Sequence, residues 1–122
     1  GYWLYIANLL YSRIETADCI SETERMKLHI LDAVSKFLHR ISEDDSAKIL
    51  AHLKSLQENR TEWLVMKTLK GKIQELIVRQ YRIIFFTASG TGYAVNAFRK
   101  QSKKTPRRII EQAERVYRDI TR

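Results

Sequence analysis

Residues 80–86 read QYRIIFF, and residues 97–106 read AFRKQSKKTP. The first stretch is rich in aromatic and β-branched residues, which are typical of a buried strand. Arg82 lies inside this apolar run, where a guanidinium is costly to bury unless an anion meets it. Six Lys or Arg side chains follow within the ten residues 99–108. Together the stretches predict paired strands and a cationic loop leading into a helix, with a phosphate backbone as the expected anion.

The charge of the chain is unevenly distributed. Its 122 residues carry a net charge of +8, with 44% hydrophobic and 30% charged residues, which predicts one globular domain with a real core. Residues 1–66 hold eight Lys or Arg against ten Asp or Glu, whereas residues 67–122 hold fourteen against four. This asymmetry indicates a cationic surface in the second half. Nucleic acid is the first expected partner; acidic proteins and anionic lipids remain open.

Cysteine and apolar patterning bear on compartment and cofactors. A single cysteine, Cys19, excludes an intramolecular disulfide framework and a cysteine-rich metal site, so a reducing cytoplasm is predicted. No apolar run approaches the roughly 20 residues that span a bilayer, and no membrane partner is predicted. The apolar residues 2–11 lack a basic stretch before them and a cleavage site after them, so we interpret them as structure or leader. The three histidines show no metal-ligand spacing, and no cofactor is predicted.

The first half is predicted to be helical. Apolar residues at helical spacing over residues 3–14 predict a short helix, with a strand over residues 2–6 as the alternative. Ser21 with Glu24 forms a capping box, which predicts a helix running to Ile41. Ser42, followed by three acidic residues, predicts the start of a second helix that ends near Asn59. The last two helices are expected to form an antiparallel pair.

The second half is predicted to be a sheet closed by a helix. Residues 73–78, 81–87 and 93–98 are short apolar runs, and the SGTG turn at 89–92 separates the last two. They predict an antiparallel meander. Thr105 as N-cap and Pro106 in the first turn predict the start of a C-terminal helix. The predicted class is α+β: a helical pair packed on a small antiparallel sheet, with a C-terminal helix and an extra N-terminal segment.

Two charged residues in the predicted strands require partners. Alternation places Arg82, Ile84 and Phe86 on one face of the sheet and the intervening residues on the other. Glu75 is the only acidic residue between Lys67 and Lys104, so it is predicted to form an ion pair with Arg82 or Arg79, with general base as the alternative. The cationic loop is expected to converge near Arg82.

The available side chains suit phosphodiester chemistry. RNA cleaves when its 2′-hydroxyl attacks the adjacent phosphate, so a protein has to align the nucleotide and neutralise developing charge. Arginine serves this role because its planar fork fits phosphate oxygens. A lysine or tyrosine with a lowered pKa would supply the proton transfers.

These stretches resemble the RelE/ParE toxin superfamily, and most closely its HigB-like, phage-derived branch. The resemblance rests on residues 69–76, 80–86, 97–100, 103–106 and 110–113, with a helical pair upstream, and it covers residues 26–122. It implies a RelE-like fold, a strand near residues 27–31 where the capping box predicts a helix, and an extension over residues 1–25. It also implies a cytoplasmic toxin of a toxin–antitoxin system, which cleaves mRNA without a metal on the ribosome and is neutralised by a helix-turn-helix antitoxin.

The resemblance also implies site residues. Arg82 matches the arginine that RelE-type enzymes place against the scissile phosphate, and the basic region after the last strand matches loosely. The predicted catalytic residues are Arg82, Arg99 and Lys100, and the predicted RNA-binding residues are Lys70, Lys72, Arg79, Lys103, Lys104 and Arg107. Ile77 departs from the family's Glu-Leu-Arg pattern, and no histidine lies near the C-terminus. A ParE-like toxin that binds DNA gyrase without catalysis, or an inactive nucleic-acid-binding relative, is the alternative.

Overall fold

The computed structural model describes residues 26–122. Within this range the chain forms, in order, β1 (Lys27–Ile30), α1 (Asp32–Arg40), α2 (Glu43–Gln57), β2 (Val65–Lys70), β3 (Ile73–Val78), β4 (Tyr81–Ala88), β5 (Thr91–Arg99) and α3 (Arg107–Thr121). The predicted N-terminal helix and the capping box at Ser21 lie outside the described residues. None of the helices in residues 26–122 combines the length and apolarity needed to cross a membrane.

The strands form one sheet in the order β1-β5-β4-β3-β2. β3, β4 and β5 pair antiparallel in sequence order, which confirms the predicted meander. β2, which the sequence did not predict, pairs antiparallel with β3, and β1 joins β5 in parallel. The turn between β4 and β5 is only Ser89-Gly90, with φ of 51° and 76°. Positive φ at both turn residues is typical of the two-residue hairpin turns whose twist fits that of the flanking strands. Gly92 therefore lies inside β5 instead of the turn.

The helix predicted from Ser21 to Ile41 is wrong over residues 27–31. β1 pairs along β5 from Lys27 opposite Thr91 to Ile30 opposite Ala94. Leu28 and Ile30, two residues apart, are both buried, as period-two burial requires. Helical spacing and strand alternation overlap in this short stretch, and the non-local pairing with β5 decides the conformation. The strand implied by the family resemblance is therefore confirmed, and α1 begins at Asp32.

The second predicted helix start is confirmed. Ser42 is the N-cap of α2, and its hydroxyl accepts a hydrogen bond from the Asp45 amide at 3.2 Å. Three carboxylates occupy the first turn, where the helix dipole favours negative charge. The helix ends at Gln57, two residues before the predicted end.

Both faces of the sheet are covered. One apolar core lies between the sheet and α1 and α2, and it includes Tyr81, Ile83 and Phe85. A second core lies under α3 and includes Ile84 and Phe86. The predicted alternation of β4 is thus correct. Tyr81 and Arg82, the first two residues of β4, therefore lie on opposite faces of the sheet, which determines the geometry of the charged residues there.

Candidate nucleic-acid interface

The last part of β5 forms an open edge of the sheet. β1 pairs with β5 only as far as Ala94, so residues 96–99 have no strand neighbour on that side. The Lys100 amide donates a hydrogen bond toward β4, to the Gln80 carbonyl at 2.7 Å. Since the direction of backbone hydrogen bonding alternates along a strand, the backbone polar groups of Ala97 and Arg99 point away from β4. The Ala97 amide is satisfied by the Asn96 side chain at 2.8 Å. A groove lies along this edge.

The groove is strongly cationic. It has a volume of about 580 Å³ and lies between α1, the end of β5, the following loop and the start of α3. Five of its lining residues are cations and none is acidic: Arg40, Arg99, Lys100, Lys104 and Arg108. The remaining walls come from Phe37, Phe98, Pro106 and Ile109, with Ala97, Gln101 and Ser102. This cationic groove therefore offers point charges, guanidinium forks and apolar surface to one ligand, a combination suited to a nucleic acid strand.

Arg99 is oriented by a hydrogen-bond chain that runs through the buried Tyr81. Its guanidinium donates to the Tyr81 hydroxyl at 3.2 Å and lies 5.4 Å from the centre of that ring. The Tyr81 hydroxyl donates to the Asp45 carboxylate at 2.6 Å. Tyr81 is only 1% exposed, so the chain links the N-terminus of α2 to the groove along one face of the sheet. The exposed Arg99 side chain thereby has a fixed hydrogen-bond partner in the core.

The same chain shifts both pKa values. The hydrogen bond to Asp45, followed by burial, raises the pKa of Tyr81 above 10.0. The hydrogen bond from Tyr81 lowers the pKa of Asp45 below 3.8, against an opposing effect of burial. Tyr81 is therefore not the tyrosine of lowered pKa that the sequence allowed as a proton-transfer group. Its role in the site is to hold Arg99.

Arg40 is the groove cation that sequence reasoning missed. Its guanidinium lies 5.9 Å from the ring centre of Phe37, one turn earlier on α1. Phe37 in turn contacts Tyr81 edge to face at 5.7 Å between centroids. The aromatic pair therefore connects Arg40 to the residue that holds Arg99. Arg40 precedes Arg99 by nearly half of the chain, and no local pattern indicates that the two share a groove.

The loop of residues 100–106 is fixed at both ends. The Lys100 amide binds Gln80 at the start, and the Ser102 hydroxyl donates to the Lys104 carbonyl at 2.7 Å. At the end, the Thr105 hydroxyl donates to the Glu75 carboxylate at 2.5 Å. Thr105 is thus not the N-cap of α3 as predicted. Pro106 occupies that position, with no side-chain cap, and its carbonyl accepts from the Ile109 amide.

Glu75 is buried under this loop, where it is 2% exposed. The predicted ion pair with Arg82 or Arg79 is wrong, because the Glu75 hydrogen bond goes to Thr105. The register explains the difference: Glu75 lies opposite Ile84, while Arg82 lies opposite Ile77, two residues further along β3. Glu75 also lines a second cavity of about 230 Å³, whose rim includes Lys67, another cation that the predicted site did not include.

Arg82 and Arg99 lie at the same end of the sheet but on opposite faces. Arg99 pairs with Tyr81, and Arg82 pairs with Phe98. One nitrogen of the Arg82 guanidinium donates to the carbonyls of Arg79 at 2.6 Å and of Tyr81 at 2.8 Å, while its buried Nε has no partner. Arg82 does not line the cationic groove. The cationic loop therefore converges on Arg99 and not, as expected, on Arg82.

The other predicted RNA-binding residues are dispersed. Lys103 and Lys104 lie on the loop, and Arg79 lies in the β3–β4 turn, where its carbonyl accepts from Arg82 of β4. Lys70 and Lys72 lie at the β2–β3 turn, at the opposite end of the sheet, where Lys70 pairs with Glu114 on α3 at 3.4 Å. Arg107 is exposed and pairs with Glu111 at 3.0 Å. The structure thus brings Arg99, Lys100 and Lys104 together and adds Arg40 and Arg108.

The histidines take no part in the groove. His29 stacks on Tyr93 at 5.1 Å between ring centres, and His52 Nδ1 lies 2.8 Å from the Lys48 carbonyl. His39, on α1, lies outside the groove as well. Across residues 26–122, no three His, Cys, Asp or Glu side chains are grouped so that they could hold a metal ion.

The fold is that of RelE-like proteins, as predicted. A chain of the crystal structure of the RelB–RelE antitoxin–toxin complex from Methanococcus jannaschii matches with a TM-score of 0.51 and 16% identity, over 68% of this chain and 94% of that one. No curated protein matches the sequence significantly. A family model described as phage-derived protein Gp49-like (DUF891) matches residues 36–118. The chain therefore belongs to the Gp49-like family of phage-derived proteins.

Proposed function

We propose that this protein is the toxin of a type II toxin–antitoxin system and cleaves mRNA as a metal-independent endoribonuclease, on the ribosome. The observation that carries the proposal is the cationic groove, which places five cations and no carboxylate beside an open strand edge. RelE-like architecture and membership of the Gp49-like family support the same class. The HigB-like branch suggested by the sequence remains part of the proposal.

Arg99 is the proposed centre of the chemistry. The RNA 2′-hydroxyl attacks the adjacent phosphorus, and the bond to the 5′-oxygen of the next nucleotide breaks, which leaves a cyclic phosphate and a free 5′-hydroxyl end. The transition state carries extra negative charge, and a pre-oriented guanidinium stabilises that charge without reorganising. Tyr81 supplies the orientation, and Lys100 adds a second charge from the adjacent position. Arg40 and Arg108 line the groove from α1 and α3, so they are proposed to align the strand on either side of the reacting phosphate.

The remaining cations are proposed to extend the contact. Arg82 and Arg79 lie at the same end of the sheet and are proposed to take a neighbouring phosphate around the β3–β4 turn. Lys103, Lys104 and Arg107 continue the surface along the loop and the start of α3. Lys70 and Lys72 lie at the far end and are proposed to contact RNA of the ribosome there.

An antitoxin is the proposed protein partner. The solved structure with the similar fold is an antitoxin–toxin complex, which supports a comparable pairing for this chain. An antitoxin of the helix-turn-helix type, carrying acidic residues, would neutralise the toxin by covering the cationic groove. Co-expression with the neighbouring open reading frame, followed by co-purification, tests the pairing.

A second function is favoured by the position of Arg82. Its guanidinium is turned onto the carbonyls of its own turn, and Ile77 stands opposite it where the family pattern would supply another arginine. A toxin that acts by binding DNA gyrase would not need these residues at a phosphate. This ParE-like function is the alternative to RNA cleavage.

Primer extension on an mRNA incubated with the purified protein separates the two functions. The reactions contain EDTA and are run with and without ribosomes. Discrete new 5′ ends that require ribosomes are the expected result, and they would also give the codon preference. An intact message under both conditions, together with inhibition of gyrase supercoiling, would replace the proposed function with the alternative.

A further inference from the structure

A second cavity lies on the other side of the cationic loop. It has a volume of about 230 Å³ and is bounded by β2, β3, the loop and α3. Four lysines surround it: Lys67, Lys100, Lys103 and Lys104. Lys100 and Lys104 also line the cationic groove, so the two cavities share the loop as a common wall. We refer to this second cavity as the lysine pocket.

The lysine pocket contains one acidic group, Glu75, with an unused acceptor. One carboxylate oxygen accepts from Thr105. Among residues 26–122 no donor lies within hydrogen-bond distance of the other oxygen, and none of the four lysines forms an ion pair with it. Glu75 lines the cavity and is 2% exposed, so this unpaired oxygen lies nearly buried in the cavity wall. A ligand with a hydrogen-bond donor would complete its bonding.

A nucleotide fits this arrangement better than a free phosphate does. A carboxylate oxygen that faces the cavity repels an anion, whereas the lysines around the rim attract one. A nucleotide satisfies the carboxylate and the lysines together, because its base carries hydrogen-bond donors and its phosphates are anionic. Leu69 and Ile110 supply apolar contact for the flat faces of a base. Single-stranded RNA presents its bases in this way when they are unstacked.

The acceptor discriminates between bases. Guanine, adenine and cytosine each carry an exocyclic amino group that can donate to a carboxylate. Uracil has no amino group, and its single N–H lies between two carbonyl oxygens that would face the negative charge of Glu75. We infer that the lysine pocket is a base-recognition subsite in which Glu75 accepts a hydrogen bond from an amino-bearing base and excludes uracil, while the surrounding lysines hold the phosphates. This inference rests on the proposed action on RNA.

The test measures binding in the absence of cleavage. Short 2′-O-methyl oligonucleotides of adenosine, cytidine or uridine lack the attacking hydroxyl, and their affinity is measured by fluorescence anisotropy. Wild-type protein is expected to bind the uridine oligomer about tenfold more weakly than the cytidine oligomer, as expected for the loss of one hydrogen bond to a charged acceptor. Equal affinity for the two oligomers would overturn the inference.

The Glu75→Gln variant assigns the preference to this residue. Glutamine keeps an oxygen for Thr105 and replaces the free acceptor by an amide that can donate to a uracil carbonyl. The ratio of cytidine to uridine affinity is expected to fall to within about twofold, whereas Asp119→Asn, an exposed control on α3, leaves it unchanged. A preference retained by Glu75→Gln would overturn the inference. Cleavage of mRNA by wild type, with no base preference in binding, would reject the subsite while leaving the proposed function in place.

Discussion

Tyr81 and Arg99 face each other across β4 and β5, and their side chains are joined at 3.2 Å. The bond matters because Tyr81 is also fixed by Asp45 at 2.6 Å, so an arginine at the end of an open strand has a rigid anchor in the core. Arg82, which follows Tyr81 in β4, points to the opposite face of the sheet. Because side chains alternate along a strand, these two arginines, which look equivalent in the sequence, lie on opposite faces of the sheet.

Removing the Tyr81 hydroxyl tests whether this anchor matters for function. In Tyr81→Phe, Arg99 loses its partner, and we expect RNA cleavage to fall on the order of 10- to 100-fold, as for a displaced catalytic group. The variant should remain folded with a lowered Tm, because the ring stays in the core while Asp45 loses a donor. The control, Tyr93→Phe, lies outside the groove. Wild-type cleavage by Tyr81→Phe would show that Arg99 needs no anchor.

The Tyr81–Asp45 bond should also give the protein a characteristic stability profile with pH. The pKa of Asp45 is lowered in the folded state, so its contribution to stability is present above pH 3.8 and is lost as the pH falls through the lowered pKa. The pKa of Tyr81 is raised, so its contribution is present below pH 10.0 and is lost as the pH rises through the raised pKa.

Thermal unfolding between pH 3 and 11 checks this profile. The difference in Tm between wild type and Tyr81→Phe should be largest between about pH 5 and 9, where the carboxylate is ionised and the phenol is protonated. It should shrink toward both extremes. A difference that stays constant over the whole range would mean that the hydrogen bond does not contribute.

Thr105 is predicted to hold the cationic loop on the sheet. Thr105→Val removes the donor to buried Glu75, which should cost about 1–3 kcal/mol because a buried acceptor loses its partner. The loop should become more mobile, so RNA affinity should fall as well. Thr87→Val, an exposed substitution on β4, provides the matched control. Chemical denaturation and RNA-binding titration measure the two effects, and unchanged values for both would remove Thr105 from this role.

Lys103 and Lys104 are predicted to contact RNA phosphates. The double substitution Lys103→Ala/Lys104→Ala should weaken binding and reduce the slope of log K against log salt by about 1.4, which corresponds to two contacts on a single strand. Lys27→Ala/Lys36→Ala removes the same charge from exposed positions that line neither cavity. Binding isotherms at four salt concentrations give the slopes. A slope equal to that of wild type would place the loop lysines outside the interface.

Local signals predicted much of the fold. The cap at Ser42 depends on residues within one helical turn, and the alternation of β4 depends on burial on both sides, so both were readable. β2 was missed because nearly all of its residues are exposed and show no alternation. β1 is a strand where the sequence predicts a helix, because four residues cannot distinguish the two periods. Its partner, β5, lies more than sixty residues away.

The site was less predictable than the fold. The positive charge of residues 99–108 predicts a cationic surface, and the groove is cationic. Arg40 joins this surface only through the tertiary packing of α1, which the sequence does not indicate. The faces of Arg82 and Arg99 depend on register, which a run of apolar residues leaves undetermined. Charge alone predicts an arginine partner for Glu75, but the offset between β3 and β4 places Glu75 opposite Ile84, and its hydrogen bond goes to Thr105.

Primer extension with groove variants tests the central claim most directly. In Arg99→Ala, the yield of new 5′ ends should fall about 10²–10³-fold, as expected when a group that stabilises developing charge is removed. Arg82→Ala should also lose activity while remaining folded, and Arg118→Ala, an exposed arginine on α3 outside the groove, should cleave as wild type does. Full cleavage by Arg99→Ala, beside an active wild type, would contradict the assignment of the groove as the catalytic site.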